Sequence, residues 1–165
     1  MELKEWSLGY VHDLAHHANN RNIARNLRNI FPYPYTEEDA VRFIEFCQTQ
    51  DLKKTRNLAI VIDGQAVGGI GITVGCDMYE KSAELGYWLG EDHWGKGIMT
   101  KAVKQMVQLS FQDHNIIRLY ATVFSHNLGS CRILEKNGFE LEGVLKKAAY
   151  KNGNLYDSKL YALLR

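Results

Sequence analysis

The chain has 165 residues, 45% of them hydrophobic, which is enough for one core and too little for a second full domain. Lysine and arginine total 20 against 19 acidic residues, so the formal charge is +1 and no basic field is available to hold a phosphodiester backbone; nucleic acid is not an expected partner. Cys47, Cys76 and Cys131 form no CxxC pair, which argues against a disulfide framework or a zinc site, and no apolar run approaches bilayer length. The reading is a soluble cytoplasmic protein with reduced thiols and no membrane partner.

In chain order, a short strand around Leu3 to Trp6 leads into a helical region in which Leu14, Ala15, Ala18, Ile23 and Leu27 recur at roughly helical spacing. Phe31-Pro32-Tyr33-Pro34-Tyr35 must be extended, because each proline fixes its own φ and restricts the residue before it. Thr36 then reads as an N-cap, with Glu37, Glu38 and Asp39 in the first turn and Ala40, Phe43, Ile44 and Cys47 on one face. Leu58 to Ile62 and Ala66 to Val74 read as strands joined by the Asp63-Gly64 turn. Ser82 to Leu89 is a further strand, and the helix after it carries Met99, Ala102, Val103, Met106, Val107 and Ser110 on one face. Ile117 to Val123 is a strand, Asn127 to Lys136 a helix closed by Gly138, and the chain returns to strand from Phe139. A turn at Lys151-Asn152-Gly153-Asn154 leaves Tyr156 to Leu164 as the last strand.

The chemistry points to the junction Gly90 to Thr100. A glycine-bearing turn between a strand and a helix offers backbone N–H groups at the positive end of the helix dipole, a site for a pyrophosphate, and Lys96 adds a positive charge nearby. Glycine also eases tight turns where no ligand binds, so the spacing alone leaves both readings open. It is neither a Walker loop nor GxGxxG, since no GK[ST] follows and Thr100 stands where a third glycine would.

The string Asp92-His93-Trp94-Gly95-Lys96-Gly97, with Asn127-Leu128-Gly129-Ser130 and Glu135-Lys136-Asn137-Gly138-Phe139, resembles the GNAT superfamily of N-acetyltransferases. Gly86-Tyr87-Trp88-Leu89 and Leu141-Glu142-Gly143 extend the resemblance to the RimJ/RimL branch, which acetylates ribosomal-protein N-termini. The resemblance implies an α/β (α+β) domain over residues 1–165, with a mixed, mostly antiparallel sheet of about seven strands, splayed in the middle and flanked by about four helices. It implies acetyl-CoA as co-substrate, without a metal, held by Trp88, Leu89, Trp94, Gly95, Lys96, Gly97, Ile98, Met99, Thr100, Asn127 and Ser130. An amine then attacks the thioester directly, and Ser130 hydrogen-bonds the departing sulfur.

Three departures from the family pattern stand out. Asp92 replaces a glutamine or arginine that helps hold the turn, Leu134 occupies the place of a tyrosine acid, and Ala149 stands where the branch carries a glutamate base. Glu84 lies where other superfamily members place a carboxylate base; the alternative is a solvated strand glutamate. Ser130 has its own alternative, a polar residue in the first turn of a helix capped by Asn127. Phe31, Tyr33, Tyr35 and Tyr87 are expected to wall the acceptor pocket, with ordinary packing as the alternative for the proline-rigid loop. His12, His16 and His17 lack a third ligand at metal spacing, and Cys131 has no histidine partner nearby in sequence. The acceptor is a peptide or protein N-terminus, or else a small amine such as a polyamine, amino-acid derivative or antibiotic. A coenzyme A-binding sensor without catalysis is the reading of another class, and a homodimer is one expected assembly.

Overall fold

The computed structural model describes every residue except His114. Its strands are β1 (Glu2–Glu5), β2 (Thr55–Ile62), β3 (Gln65–Val74), β4 (Ser82–Leu89), β5 (Arg118–Phe124), β6 (Glu140–Lys151) and β7 (Asn154–Leu164). The helices are α1 (Val11–Ala18), α2 (Arg21–Ala24), α3 (Glu37–Gln48), α4 (Ile98–Asp113) and α5 (Leu128–Lys136). The strands form one sheet in the order β1-β2-β3-β4-β5-β7-β6. Every neighbouring pair is antiparallel except β4–β5, which is parallel and connected through α4.

Local chemistry accounts for the punctuation. Asp63 and Gly64 take φ of 49° and 86°, and Asn152 and Gly153 take 50° and 81°, the left-handed pairs that tight hairpins require. Thr36 and Asp39 close a reciprocal capping box at the start of α3. The described residues hold five α-helices where about four were expected, because the first helical region breaks in two: Asn20 turns extended, and its side-chain oxygen accepts from the N–H groups of Asn22 and Ile23. An asparagine that caps a new turn competes with continuing the old one.

Both faces of the sheet are covered. On one, Leu58, Ile60, Val67, Ile70, Leu85, Leu119 and Ala121 pack under Met99, Val103 and Met106 of α4 and Leu134 of α5. On the other, Ala59, Val61 and Ala66 pack with Trp6 against Leu14 and Ala18 of α1 and Ala40 and Ile44 of α3. Burial on both faces explains the continuously apolar run of β2, since a strand with one wet face would alternate. In β4 the alternation sends Ala83, Leu85 and Leu89 toward α4, and Trp88 toward the α1–α3 side. Gly69 makes room for that indole: a Cβ there would sit 2.8 Å from Trp88 Nε1.

Candidate active site

Parallel pairing between β4 and β5 is confined to Ser82, Ala83 and Glu84 against Arg118, Leu119 and Tyr120. Beyond that the strands part, and the facing edges of Leu85–Leu89 and Ala121–Phe124 border a cleft of about 890 Å³. Unpaired strand edges inside a protein are groups seeking partners, and an extended ligand bearing amides can supply them. The cleft runs from the N-terminus of α4 to the segment after α2.

At the α4 end, Gly95 and Gly97 both have φ of +73° with no atom within 4 Å of where a Cβ would stand, so the turn is open on its outer side. The first-turn N–H groups of α4 have no carbonyl four residues back, no acidic side chain lies in that turn, and a glycine precedes it. In contrast, Thr36 caps α3 and Asn127 caps α5 through their side chains. The turn is braced internally: Trp94 Nε1 donates to Leu89 O at 2.8 Å, and Lys96 Nζ to Asp92 O at 2.8 Å. The Lys96 ammonium thus lies against its own turn, and Asp92 takes part in holding it through the main chain.

Ser130 sits in the first turn of α5 with its N–H on Asn127 Oδ1 at 3.2 Å, so Asn127 already caps the helix. The Ser130 hydroxyl is 2.8 Å from Tyr87 Oη, a pair in which either oxygen can donate, and Ser130 O lies 3.3 Å from the same phenol. Burial pushes the Tyr87 phenol above its ordinary range and keeps it protonated. Tyr87 therefore lies on the α5 side of β4, where it orients Ser130, and away from Glu84.

Glu84 points to the other side. Its Oε1 accepts from Arg28 Nη2 at 2.5 Å, in an ion pair reaching over from the segment after α2 and not across the sheet. The carboxylate raises the Arg28 pKa further. Trp88 and Phe31 stack edge to face at 5.9 Å, and Phe31 packs on Tyr35 at 4.9 Å. Phe31 and Tyr35 line the cleft, whereas Tyr33 is 52% exposed and does not. Lys151, buried on β6, donates to Leu27 O at 2.8 Å and to Asn29 Oδ1 at 3.4 Å, and burial lowers its pKa. Asn26 Oδ1 pairs with His126 Nε2 at 3.1 Å.

A model of the acetyltransferase (GNAT) domain matches residues 1–140. The chain belongs to the GNAT family. YjcK of Bacillus subtilis, described as a probable N-acetyltransferase, is 43% identical over 84 residues, 51% of this chain and 46% of that protein. The ribosomal-protein-serine acetyltransferase of Escherichia coli, from the branch the sequence resembles, is 38% identical over 82 residues, 50% of this chain and 46% of that one. The matched stretch thus spans about half the length of these curated relatives. Among solved structures, the microcin C7 self-immunity acetyltransferase MccE, in complex with acetyl-CoA and AMP, superposes with a TM-score of 0.87 at 29% identity, covering 99% of this chain and 91% of that one.

For a GNAT domain the fit to the coenzyme rests on the open glycines before α4, the absence of an acidic side chain in its first turn and the charge of the cleft. Arg25, Arg28, Arg132 and Lys136 line it, with Glu84 as the one carboxylate among the described lining residues. Lys136 stands in the family-like string without a cleft role read for it, and Arg132, four residues before it on α5, stands outside that string; their helical spacing from Leu128 places both on the cleft face. Arg28, Asn26 and His126 were missed because only the folded chain brings them to β4 and β5. Among the described residues no group of His, Cys, Asp and Glu is arranged to hold a metal; His12 lies 3.1 Å from Glu37 Oε1, and His17 packs against His93. No helix of the described residues is long and apolar enough to cross a membrane.

Proposed function

We propose that this protein is an acetyl-CoA-dependent N-acetyltransferase whose acceptor is the α-amine of a peptide or protein N-terminus. The observation that carries it is the Ser130 hydroxyl, fixed by Tyr87 beside the gap between β4 and β5, with the open turn of α4 at the end of the same cleft. In this reading the coenzyme's pyrophosphate lies on the amides from Gly95 to Thr100, its arm follows the edge of β4 past Leu89, and Arg132 and Lys136 face its phosphates. The acceptor enters from the Phe31 side. Its amine attacks the thioester carbonyl and gives its proton to Glu84, directly or through a water. The carbon–sulfur bond breaks, and the thiolate receives the Ser130 O–H.

The α-amine is preferred because the Glu84 carboxylate is already engaged by Arg28 and has to leave that ion pair before it can take a proton. An N-terminal amine, with a reference pKa of about 7.7 to 8.0, is partly neutral at pH 7, whereas a lysine-like amine near 10.4 needs far more help. Small amines form the second reading, favoured by the AMP bound in MccE. A cytoplasmic location accompanies both, supported by three free cysteines.

The test is thiol release from acetyl-CoA with peptides and small amines, followed by acceptor mass. Ser130→Ala is expected to lower kcat by about tenfold to a thousandfold with acetyl-CoA affinity retained. Tight coenzyme binding with no turnover on any amine would replace this reading with a sensor.

A further inference from the structure

The acceptor side of the cleft has an uneven charge. Arg28 stands there, and Glu84, the one carboxylate among the described lining residues of the cleft, is already paired with it. Arg25 has no carboxylate at ion-pair distance among the described residues, and its charge reaches Glu91 only through space. The two partners of the Arg28–Glu84 pair differ in freedom. Glu84 stands on β4, between Thr73 and Tyr120 of the neighbouring strands, with its side chain 27% exposed. Arg28 follows α2 in an irregular segment, with its side chain 73% exposed.

That segment is nonetheless held by its backbone. Lys151, 7% exposed, donates to Leu27 O and to Asn29 Oδ1, the residues on either side of Arg28. Asn26 is tied to His126. A lysine buried against neutral oxygens is costly to keep, and here it fixes the base of an arginine whose guanidinium stays free to change partners.

The geometry points to Arg28 as the residue that reads the acceptor, selecting amines that carry an anionic group beside the amine over neutral or polycationic ones. This rests on the acetyltransferase reading above. The reason is an exchange of partners. An acceptor with an ammonium and a nearby carboxylate gives Arg28 a new anion and gives the released Glu84 a new cation, so one ion pair becomes two. An amine with a neutral neighbour must compete with Arg28 for Glu84, and a polyamine meets Arg28 as a like charge. The released carboxylate is also the one placed to take the amine proton, so recognition and activation use the same movement. For a peptide N-terminus, the anion is an Asp or Glu side chain at the second or third residue.

The experiment measures kcat/KM on matched sets: peptides identical except for Asp, Asn or Lys at the second position, and small amines represented by glutamate α-amide, glutamine α-amide and spermidine. The acidic member is expected to exceed the neutral one by about tenfold in whichever class turns over, with the basic member lowest. Arg28→Gln should bring the acidic and neutral rates together, Arg28→Lys should restore part of the difference, and acetyl-CoA affinity should be unchanged in both. Equal rates across a set, preference for the basic member, or a preference that survives Arg28→Gln overturns the inference. Turnover confined to small amines overturns the peptide reading, while the charge preference is still read on their own set. Absence of turnover on every amine overturns both.

Discussion

Ser130 and Tyr87 show how much one hydrogen bond determines at the site. A serine hydroxyl rotates freely, and its use as a donor to sulfur depends on something setting its direction; Tyr87 Oη at 2.8 Å does that from the neighbouring strand. Tyr87→Phe keeps the ring and removes the hydroxyl, so kcat is expected to fall by about tenfold, less than in Ser130→Ala, with the acetyl-CoA Kd unchanged. Steady-state kinetics beside calorimetry checks this, and an unchanged kcat would show that Ser130 is oriented without Tyr87. The sequence contained part of this geometry. Alternation along a strand places Tyr87 with Leu85 and Leu89 and separates it from Glu84, although both lie on β4. The partnership of Arg28 with Glu84 had no such signal, because it joins positions 56 apart through a segment without periodicity.

Among the elements, those fixed by local chemistry were legible and those fixed by distant contacts were not. The Asp63-Gly64 and Asn152-Gly153 turns and the Thr36 capping box depend on adjacent residues, and each stands where the residues place it. The break before α2 was not read, although Asn20 is a good cap, because the apolar spacing runs on past it; its bond, with that of Asn22, to the Glu91 carboxylate ties α2 to the turn before α4. That turn carries its own test. With φ of +73° and open space around the missing Cβ, Gly97→Ala meets no clash, so its effect comes from the backbone alone. Alanine is expected to shift the first-turn amides and weaken acetyl-CoA binding by about tenfold or more. Gly64→Ala, at φ +86° and outside the cleft, imposes similar strain and should leave that affinity intact. Equal affinity in Gly97→Ala and wild type would move the pyrophosphate elsewhere.

At the scale of the molecule, the sheet is two parts joined by little backbone. The β1–β4 and β5–β7 parts share only the short parallel pairing of Ser82–Glu84 with Arg118–Tyr120, and the core under α4 and α5 does the rest of the joining. Neither the splay nor the order β5-β7-β6 follows from strand patterns, since pairing partners are set by the whole fold; the splay was expected only through the family resemblance, and the order was not expected at all. A coenzyme arm seated in the gap would bridge the two parts, and that has two measurable consequences. Acetyl-CoA at 100 times its Kd should stabilise the protein by about 2.7 kcal/mol, which for a domain of this size raises Tm by roughly 5 to 10 °C. Hydrogen exchange should slow most along the facing edges, Leu85–Leu89 and Ala121–Phe124, and little on β1 and β2, which already pair with each other. A rise in Tm with protection confined to the α4 turn would mean that the phosphates bind but the arm does not enter the gap, and Ser130 would then be out of reach of the thioester.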